Sequence, residues 1–298
     1  MVEQALSRWV ALTGDAPVSA GLAGLSEAMR YAVLDGGKRL RPLLVLAACE
    51  AVKGNPHAAL RSACAVELIH AYSLVHDDMP CMDNDVLRRG KATVHVRFGQ
   101  AQALLAGDAL QALAFEFLTP ADDAEDTFDV ATQARLCRML AQAAGSQGMA
   151  GGQAIDLASV GLPLNSDQLH EMHRLKTGAL LQCSVMMGAN CGAAAAPVLE
   201  ALRDYGAAVG LAFQVVDDIL DVTADSATLG KTAGKDAAQD KPTFVSLMGL
   251  QASKGYAQQL LARAFESLDK LDTFGGAHGL HATAALRALA DMLVNRHH

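Results

Sequence analysis

The sequence predicts an all-α fold, built as one domain over residues 1–298. Long segments are rich in residues that favour helix, and the eight prolines stand at the edges of those segments. Strand-like alternation of apolar and polar residues is almost absent. Because 51% of the 298 residues are hydrophobic, the chain can bury a large core, and a helical protein of this length can still be a single domain.

Eight segments carry the helical pattern, each rich in Ala, Leu, Met, Gln and Glu. They are residues 41–53, 56–79, 98–118, 126–148, 166–189, 197–222, 255–271 and 281–295. Asn165, with Gln168 three residues later, has the pattern of a helix start. The strand-like run of Val94, Val96 and Phe98 is too short to form a sheet. We therefore expect a bundle of helices.

Charge and composition argue against several classes of protein. A formal net charge of -8 disfavours a nucleic-acid partner or an anionic membrane surface, since both attract basic proteins. Residues 1–16 contain Glu3, Arg8 and Asp15 and therefore lack the apolar stretch of a secretory signal. No segment has the ~20 consecutive apolar residues that span a bilayer. We expect a cytoplasmic protein without stable membrane insertion, whose six cysteines are free and mostly buried.

The first group of acidic residues ends an otherwise apolar helical segment. Asp77, Asp78, Asp83 and Asp85 fall within nine residues of one another. Carboxylates crowded in this way repel each other unless a cation joins them. For one such motif alone, a solvated charged helix face is an equally good interpretation.

A second acidic group makes that alternative much weaker. At roughly 100° per residue, Gln214, Asp217, Asp218 and Asp221 fall on one face of a helix, so we expect the three carboxylates to point the same way. Neither group has a nearby pair of cysteines or histidines. Ligation by oxygen alone suits Mg²⁺, which prefers carboxylates together with substrate phosphate.

Basic residues that could bind an anionic substrate accompany both acidic groups. Gly36-Gly37 precedes Lys38, Arg39 and Arg41 at a predicted helix start, where free N–H groups also favour anions. Arg88-Arg89 follows the first acidic group, and arginine matches diphosphate oxygens in bidentate fashion. The alternative for this pair is salt bridging to Asp83 and Asp85.

Three weaker candidates complete the predicted anion site. Lys176-Thr177 opens a helical stretch and resembles a phosphate-handling helix start. His70 stands seven residues before Asp77, on nearly the same helix face, and could donate to a phosphate. The Gly/Thr/Asp-rich segment 223–243 is predicted to be a mobile loop. It carries Lys231, Lys235 and Lys241.

Along nearly its whole length the sequence resembles the short-chain trans-isoprenyl diphosphate synthases, most closely the bacterial farnesyl diphosphate synthases. Six motifs in order carry the resemblance. They are Gly36–Pro42, the DDxxxxD form at Asp77–Asp83 with Arg88-Arg89-Gly90, Gly151–Leu157, Lys176-Thr177, Phe213-Gln214 with Asp217–Asp221, and Gly230–Asp236. The resemblance implies a helical bundle around a deep central cavity, usually built as a homodimer.

The resemblance also implies roles for the candidate residues. Three Mg²⁺ ions would bridge Asp77, Asp83 and Asp217 to the diphosphate of an allylic substrate. The wider metal-binding prediction covers both acidic groups and so includes Asp78, Asp218 and Asp221. Arg88, Lys176 and Lys231 would assist at the allylic diphosphate. Thr177, Gln214 and Lys241 would be further substrate-binding residues, and all of these except Lys241 would be catalytic. Isopentenyl diphosphate would be held by Lys38, Arg41, His70 and Arg89. The family often has Tyr where this chain has Phe244, and the end at Arg296-His297-His298 is less basic than in some relatives.

Product length is predicted from the fifth and fourth residues before Asp77. At 1.5 Å per residue, Tyr72 and Ser73 lie about 6 to 8 Å below the metal end, where a growing prenyl chain would pass Ser73 and meet Tyr72. Because bacterial farnesyl synthases share this aromatic-then-small pair, (2E,6E)-farnesyl diphosphate is the expected product. Geranylgeranyl diphosphate comes second, because the Met-Pro-Cys-Met insert also occurs in synthases of that type, and geranyl diphosphate is a further alternative. A class I terpene cyclase and a non-catalytic synthase subunit are weaker alternatives.

Overall fold

The computed structural model describes residues 1–10, 19–34, 36–121, 124–162, 164–223, 242–274 and 283–296. Within these ranges the chain is an all-α bundle, as the sequence predicts. Its helices are α1 (Val2–Trp9), α2 (Ala20–Val33), α3 (Leu40–Ala51), α4 (Pro56–Asp77), α5 (Val94–Phe98), α6 (Gln100–Leu118), α7 (Val130–Ala144), α8 (Met149–Ala158), α9 (Ser166–His173), α10 (Ala179–Ala189), α11 (Ala196–Thr223), α12 (Phe244–Met248), α13 (Leu250–Phe274) and α14 (Ala284–Val294).

Two smaller elements lie among the helices. A π-helical turn, Arg174–Gly178, joins α9 to α10. A hairpin pairs β1 (Leu87–Arg88) with β2 (Lys91–Ala92) in antiparallel register. Arg89 and Gly90 at its tip have φ of 52° and 75°, the backbone that a two-residue hairpin turn requires. Arg88 is therefore the last residue of β1, and Arg89 is the first residue of the turn.

All eight predicted segments contain helix, but four observed helices fall outside them. These are α1, α2, α8 and α12. Helices α2 and α8 each contain two glycines, which lower the helix propensity of their sequences. Helix α12 has only five residues and is too short to show a helical pattern. The alternating run at 94–98 is the short helix α5, whose end at Gly99 separates it from α6 because Gly99 adopts a φ of 88°.

Local capping explains where the helices that position the site begin. Asn55 accepts hydrogen bonds at its Oδ1 from the backbone N–H groups of His57 and Ala58, at 2.8 and 3.2 Å, and Pro56 occupies the first turn of α4. Asn165 and Gln168 form a reciprocal capping box at the start of α9, which confirms the predicted helix start.

The core consists of two large apolar clusters joined through α3 and α10. One lies where α11 packs against α13 and α14, and includes the fully buried Tyr205, Leu202 and Leu268. The other surrounds α4, where Leu68 and Ile69 pack among residues of α6 and α7. Each fully buried Leu or Ile contributes roughly 2 kcal/mol of hydrophobic stabilisation. Four helices of the functional region, α4, α6, α8 and α11, are thereby fixed in the bundle.

Two glycines allow the π-helical turn to approach its neighbours closely. A Cβ at Gly152 of α8 would lie 2.1 Å from the backbone nitrogen of Lys176, and one at Gly210 of α11 would lie 2.9 Å from the Cα of Gly178. Any side chain at these positions would push the turn away. The backbone carrying Lys176 and Thr177 is therefore wedged between α8 and α11.

Helix α4 meets the length and composition expected of a membrane-spanning helix, but 72% of its most apolar window is buried inside the bundle. Such burial is that of a core helix in a folded domain. The cysteines are free, and four of the six are buried, as predicted. Burial raises the pKa of the Cys64 thiol to about 12, which keeps that thiol protonated and unreactive.

Candidate active site

A cavity of about 550 Å³ opens between α4, α8, α11 and the π-helical turn. One Asp from each predicted acidic group, Asp77 and Asp217, lines it. Lys176, Arg88 and Arg89 line it as well, so carboxylates and cations share one concave surface. Below them the lining is largely apolar, with Met149, Ala154, Leu157 and Phe213 among its residues.

The first acidic group is held by the backbone that follows α4. The N–H of Asp83 donates to the carbonyl of Asp77 at 2.8 Å, and the N–H of Asn84 donates to Met79 at 3.1 Å. These bonds fold the loop back over the end of α4. Burial raises the pKa of Asp77 to about 6, an effect that Lys176 opposes and Asp83 reinforces.

Within this group, Asp78 is turned away from the cavity. It is 2% exposed, and the guanidinium of Arg88 donates to it from Nε at 2.8 Å and from Nη2 at 2.5 Å. The sequence suggested Asp83 and Asp85 as salt-bridge partners of Arg88 and Arg89, whereas the ion pair that Arg88 forms here is with Asp78. This two-point ion pair fixes the arginine at the cavity wall, and of the two neighbouring aspartates Asp77 is the one that lines the cavity.

The second acidic group is also divided, although its spacing predicted three carboxylates pointing the same way. Asp217 faces the cavity, where Arg296 forms an ion pair with it. Asp218 is 2% exposed and accepts hydrogen bonds from Gln214 Nε2 and from the backbone N–H of Phe244, both at 2.8 Å. Asp221 is buried as well. The helical periodicity was correct, but a helix packed on several sides exposes only part of each face.

The carboxylate oxygens of the cavity suit Mg²⁺, but they would supply only part of its coordination shell, and water and phosphate would supply the rest. The cavity presents carboxylate oxygens without a cysteine ligand, and the raised pKa of Asp77 indicates that burial leaves its negative charge undercompensated. Among the described residues, no three His, Cys, Asp or Glu side chains come close enough together to form a metal cluster. Mg²⁺ typically binds through one or two carboxylates together with water and phosphate. The two acidic groups match that arrangement.

Lys176 and Thr177 stand on the π-helical turn and are connected to both α8 and α11. Lys176 Nζ donates to Asp156 of α8 at 2.5 Å, and Thr177 Oγ1 donates to Gln214 Oε1 at 3.1 Å. Since Gln214 in turn donates to Asp218, one chain of hydrogen bonds runs from the turn to the second acidic group. A π-helical turn inside a helix often marks a functional position.

A second cavity, of about 760 Å³, adjoins the first and is lined by the predicted diphosphate-binding cations. Lys38, Arg41, His70 and Arg89 line it, together with Arg296. The first cavity shares Arg41, His70, Arg89 and Phe213, so the two pockets meet there. Gly37 has a φ of 93°, and a Cβ on it would lie 2.8 Å from Arg89 Nη1. The paired glycines thus let the hairpin arginine reach the start of α3.

The electrostatics of this second cavity favour an anion. Burial lowers the pKa of Arg41, whose Nε is buried without a hydrogen-bond partner. Burial and the neighbouring Arg41 and Arg89 hold the pKa of His70 well below its usual value, so its imidazole is neutral at pH 7. Arg39, in contrast, serves the fold: its guanidinium binds Glu67 at 2.6 Å and also Glu3.

Other predicted residues are placed as follows. Tyr72 and Ser73 line the first cavity below Asp77, and Ser73 Oγ donates to the carbonyl of His70 at 2.9 Å. Phe244, which stands where the family often has Tyr, is fully buried, and its backbone N–H donates a hydrogen bond to Asp218. Lys231 and Lys241, with most of the predicted loop 223–243, lie outside the described residues.

Three residues of the site were given no role from sequence. Asp156 forms an ion pair with Lys176 and holds it in place. The signal for this role in the sequence was a single acidic residue on a short, largely apolar helical segment, inside the motif Gly151–Leu157. Phe213 contributes to both cavities, and Arg296 lies over its ring at 4.4 Å. No local pattern marks Arg296, because its partner Asp217 is 79 residues away in the chain.

A helical bundle with two acidic groups at one cavity and a cluster of cations at the next is the arrangement of an enzyme that binds diphosphate esters. The Polyprenyl synthetase family matches residues 23–274, and the chain belongs to that family. It is a trans-prenyltransferase.

Individual relatives agree with this family membership. A probable farnesyl diphosphate synthase of Sinorhizobium fredii is 51% identical over 274 residues, which cover 91% of this chain and 80% of that protein. The heterodimeric geranylgeranyl pyrophosphate synthase large subunit 1 of Arabidopsis thaliana, a chloroplast protein, is 47% identical over 91% of this chain and 72% of its own length.

Solved structures give the same result. An FPP/GFPP synthase from Zymomonas mobilis in its apo form superposes with a TM-score of 0.83 at 40% identity, covering 98% of this chain and 94% of that one. A geranyltransferase from Helicobacter pylori, complexed with magnesium and isoprenyl diphosphate, superposes with a TM-score of 0.81 at 34% identity, covering 99% and 97%. The predicted isoprenoid synthase fold is confirmed.

Proposed function

We propose that this chain condenses isopentenyl diphosphate with dimethylallyl and then geranyl diphosphate to give (2E,6E)-farnesyl diphosphate and diphosphate. The observation that carries the proposal is the pair of adjoining cavities, one with acidic groups and one with cations, which meet at Phe213. Two diphosphate esters bound in this way would bring their hydrocarbon parts together. The whole chain acts as one polyprenyl synthase domain in this proposal.

The allylic diphosphate belongs in the first cavity. Asp77, Asp83 and Asp217 would hold Mg²⁺, which when bound neutralises the charge that develops on the leaving diphosphate. Lys176 supplies a fixed positive charge at the same place, held there by Asp156. The proposed contributions of Lys231 and Lys241 rest on the family resemblance.

Isopentenyl diphosphate belongs in the second cavity. Lys38, Arg41 and Arg89 would bind its diphosphate, and an anion at this position would supply the partner that Arg41 Nε lacks within the protein. His70 is neutral and can donate one hydrogen bond without adding further positive charge.

The reaction proposed for this geometry needs no nucleophilic side chain. The allylic C–O bond breaks with its electron pair leaving on the diphosphate oxygen. The double bond of isopentenyl diphosphate then attacks the carbocation, a C–C bond forms, and the neighbouring carbon loses a proton to the released diphosphate. The apolar wall of Met149, Ala154 and Leu157 keeps water from the cation.

Product length is supported by position and by the relatives. Tyr72 lies beside Ser73 in the cavity lining, one helical turn below Asp77, where the end of a growing chain would meet it. Two bacterial relatives bear the name probable farnesyl diphosphate synthase. A plant relative is named as a geranylgeranyl pyrophosphate synthase subunit, so geranylgeranyl diphosphate is the second candidate product. We further propose a cytoplasmic homodimer, for which the exposed Leu104 and Leu105 on α6 offer an apolar surface.

The test is product analysis with purified protein, Mg²⁺, dimethylallyl diphosphate and labelled isopentenyl diphosphate. A C15 diphosphate as the main product supports the proposal, and a C20 product supports the geranylgeranyl alternative. Turnover of the allylic diphosphate without isopentenyl diphosphate would indicate a terpene cyclase. The second cavity is tested with Arg41→Gln, which keeps much of the side-chain volume but loses the charge. It should raise the KM for isopentenyl diphosphate more than the KM for the allylic substrate.

A further inference from the structure

Gly107, a buried residue of α6, packs directly against a cavity-lining side chain of α4. A Cβ built on Gly107 would lie 2.0 Å from Nε2 of His76, 2.5 Å from its Cδ2 and 2.7 Å from its Cε1. Three ring atoms therefore occupy the space that any other residue at 107 would fill. The imidazole sits in a notch that exists only because residue 107 has no side chain.

His76 is held in this notch by two further contacts. Its Nε2 lies 3.1 Å from the carbonyl oxygen of Leu104, and because a carbonyl only accepts, Nε2 is the nitrogen that carries the proton. On the other side its ring meets the ring of Tyr72 edge-on, with centroids 5.8 Å apart and an interplanar angle of 75°. Both His76 and Tyr72 line the first cavity, and Tyr72 is the residue that the end of the growing prenyl chain would meet.

We propose that Gly107 is a product-length-determining residue: the notch that it leaves in α6 seats the His76 ring, and with it the Tyr72 ring, beside the path of the prenyl chain. The inference rests on the proposed function. It extends that function to a residue on a different helix, which has no side chain and does not line the cavity.

The direction of the effect follows from what surrounds the notch. Ala103, Ala106 and Leu110 of α6 are fully buried on either side of Gly107, so moving α6 away from α4 would open gaps along the helix interface. Rotating the His76 ring instead breaks one hydrogen bond and one edge-on contact. The ring would then lie in the open cavity or press on Tyr72. Both movements remove space below Asp77, so a methyl group at 107 should shorten the product.

The experiment compares Gly107→Ala, His76→Ala and the double variant, with Gly255→Ala as the control. Gly255 is a helical glycine of α13 where an added Cβ meets no atom within 4 Å, so it reports the general effect of Gly→Ala in a helix. Products are measured by chromatography from dimethylallyl and isopentenyl diphosphates. Gly107→Ala should raise the ratio of C10 to C15 product about tenfold or more, and Gly255→Ala should leave the ratio unchanged.

The double variant decides whether His76 carries the effect. Without the imidazole, the three atoms that a methyl at 107 would meet most closely are gone, so the double variant should make products at least as long as wild type. The proposal is overturned if Gly107→Ala keeps the wild-type product ratio, or if the double variant is as short as Gly107→Ala. If Gly107→Ala does not fold, His76→Ala decides: a shift toward C20 supports the proposal, and an unchanged product contradicts it.

Failure of this inference is distinguishable from failure of the proposed function. Wild-type protein that forms no prenyl diphosphate from the two substrates contradicts the function itself. Wild-type protein that forms C15 product, together with a Gly107→Ala variant of unchanged product length, contradicts only the role of Gly107.

Discussion

Replacing Asp77 with Asn should stabilise the protein while removing its activity. Burial raises the pKa of the Asp77 carboxyl from 3.8 to about 6, and Lys176 only partly opposes that effect. Because the folded-state pKa is above the unfolded-state value, protonated Asp77 stabilises the fold below about pH 4. That stabilisation is lost as the pH rises through about 6. At pH 7 the charged carboxylate therefore destabilises the metal-free protein.

The size of this effect follows from the two pKa values. The difference between 3.8 and about 6 corresponds to about 3 kcal/mol of unfolding free energy. Asn has nearly the same shape and cannot ionise, so Asp77→Asn should gain up to that amount at pH 7 and almost nothing at pH 4. For a chain of 298 residues, the melting temperature at pH 7 should rise by about 5 °C.

The assay is thermal and urea unfolding in EDTA between pH 4 and pH 8, with Asp204→Asn as the control because Asp204 is an exposed carboxylate on α11. Adding Mg²⁺ and inorganic diphosphate should stabilise wild type more than Asp77→Asn, since a metal bound only to the folded state shifts the unfolding equilibrium. The reasoning is refuted if Asp77→Asn is no more stable than wild type at pH 7 in EDTA. Near-normal turnover at saturating Mg²⁺ would refute the metal-ligand role.

Three other predictions test separate parts of the site. Arg296→Gln should raise the affinity for Mg²⁺ measured by calorimetry with inorganic diphosphate, because Arg296 competes for Asp217, and an unchanged or weaker affinity would contradict that competition. Arg89→Ala should raise the KM for isopentenyl diphosphate more than that for the allylic substrate, and steady-state kinetics with each substrate varied would expose the reverse. Tyr72→Ala should shift the product toward C20 and Ser73→Phe toward C10. Unchanged C15 from both variants would mean that these residues only pack the core.

Helical content and the chemical composition of the site could be predicted from sequence. Both are local properties: helix formers between prolines define α4 and α11, and two acidic groups with nearby cations indicate a diphosphate and Mg²⁺. The prediction was less good where local signals are weak. Helix α8 contains two glycines, and one of them, Gly152, packs directly against the backbone of Lys176. The two glycines weaken the local helix signal, and most helical stability in a folded protein comes from tertiary packing.

By itself, the sequence determined which residue types the site contains and which segments carry them. Which member of each acidic pair faces the substrate was decided only by tertiary structure. Asp78 and Asp218 are buried because Arg88 and the N–H of Phe244 bind them, and Asp217 meets Arg296 from 79 residues away. The physical reason is that helical periodicity fixes only the direction of a side chain relative to its own axis. Its surroundings depend on packing between elements distant in the chain.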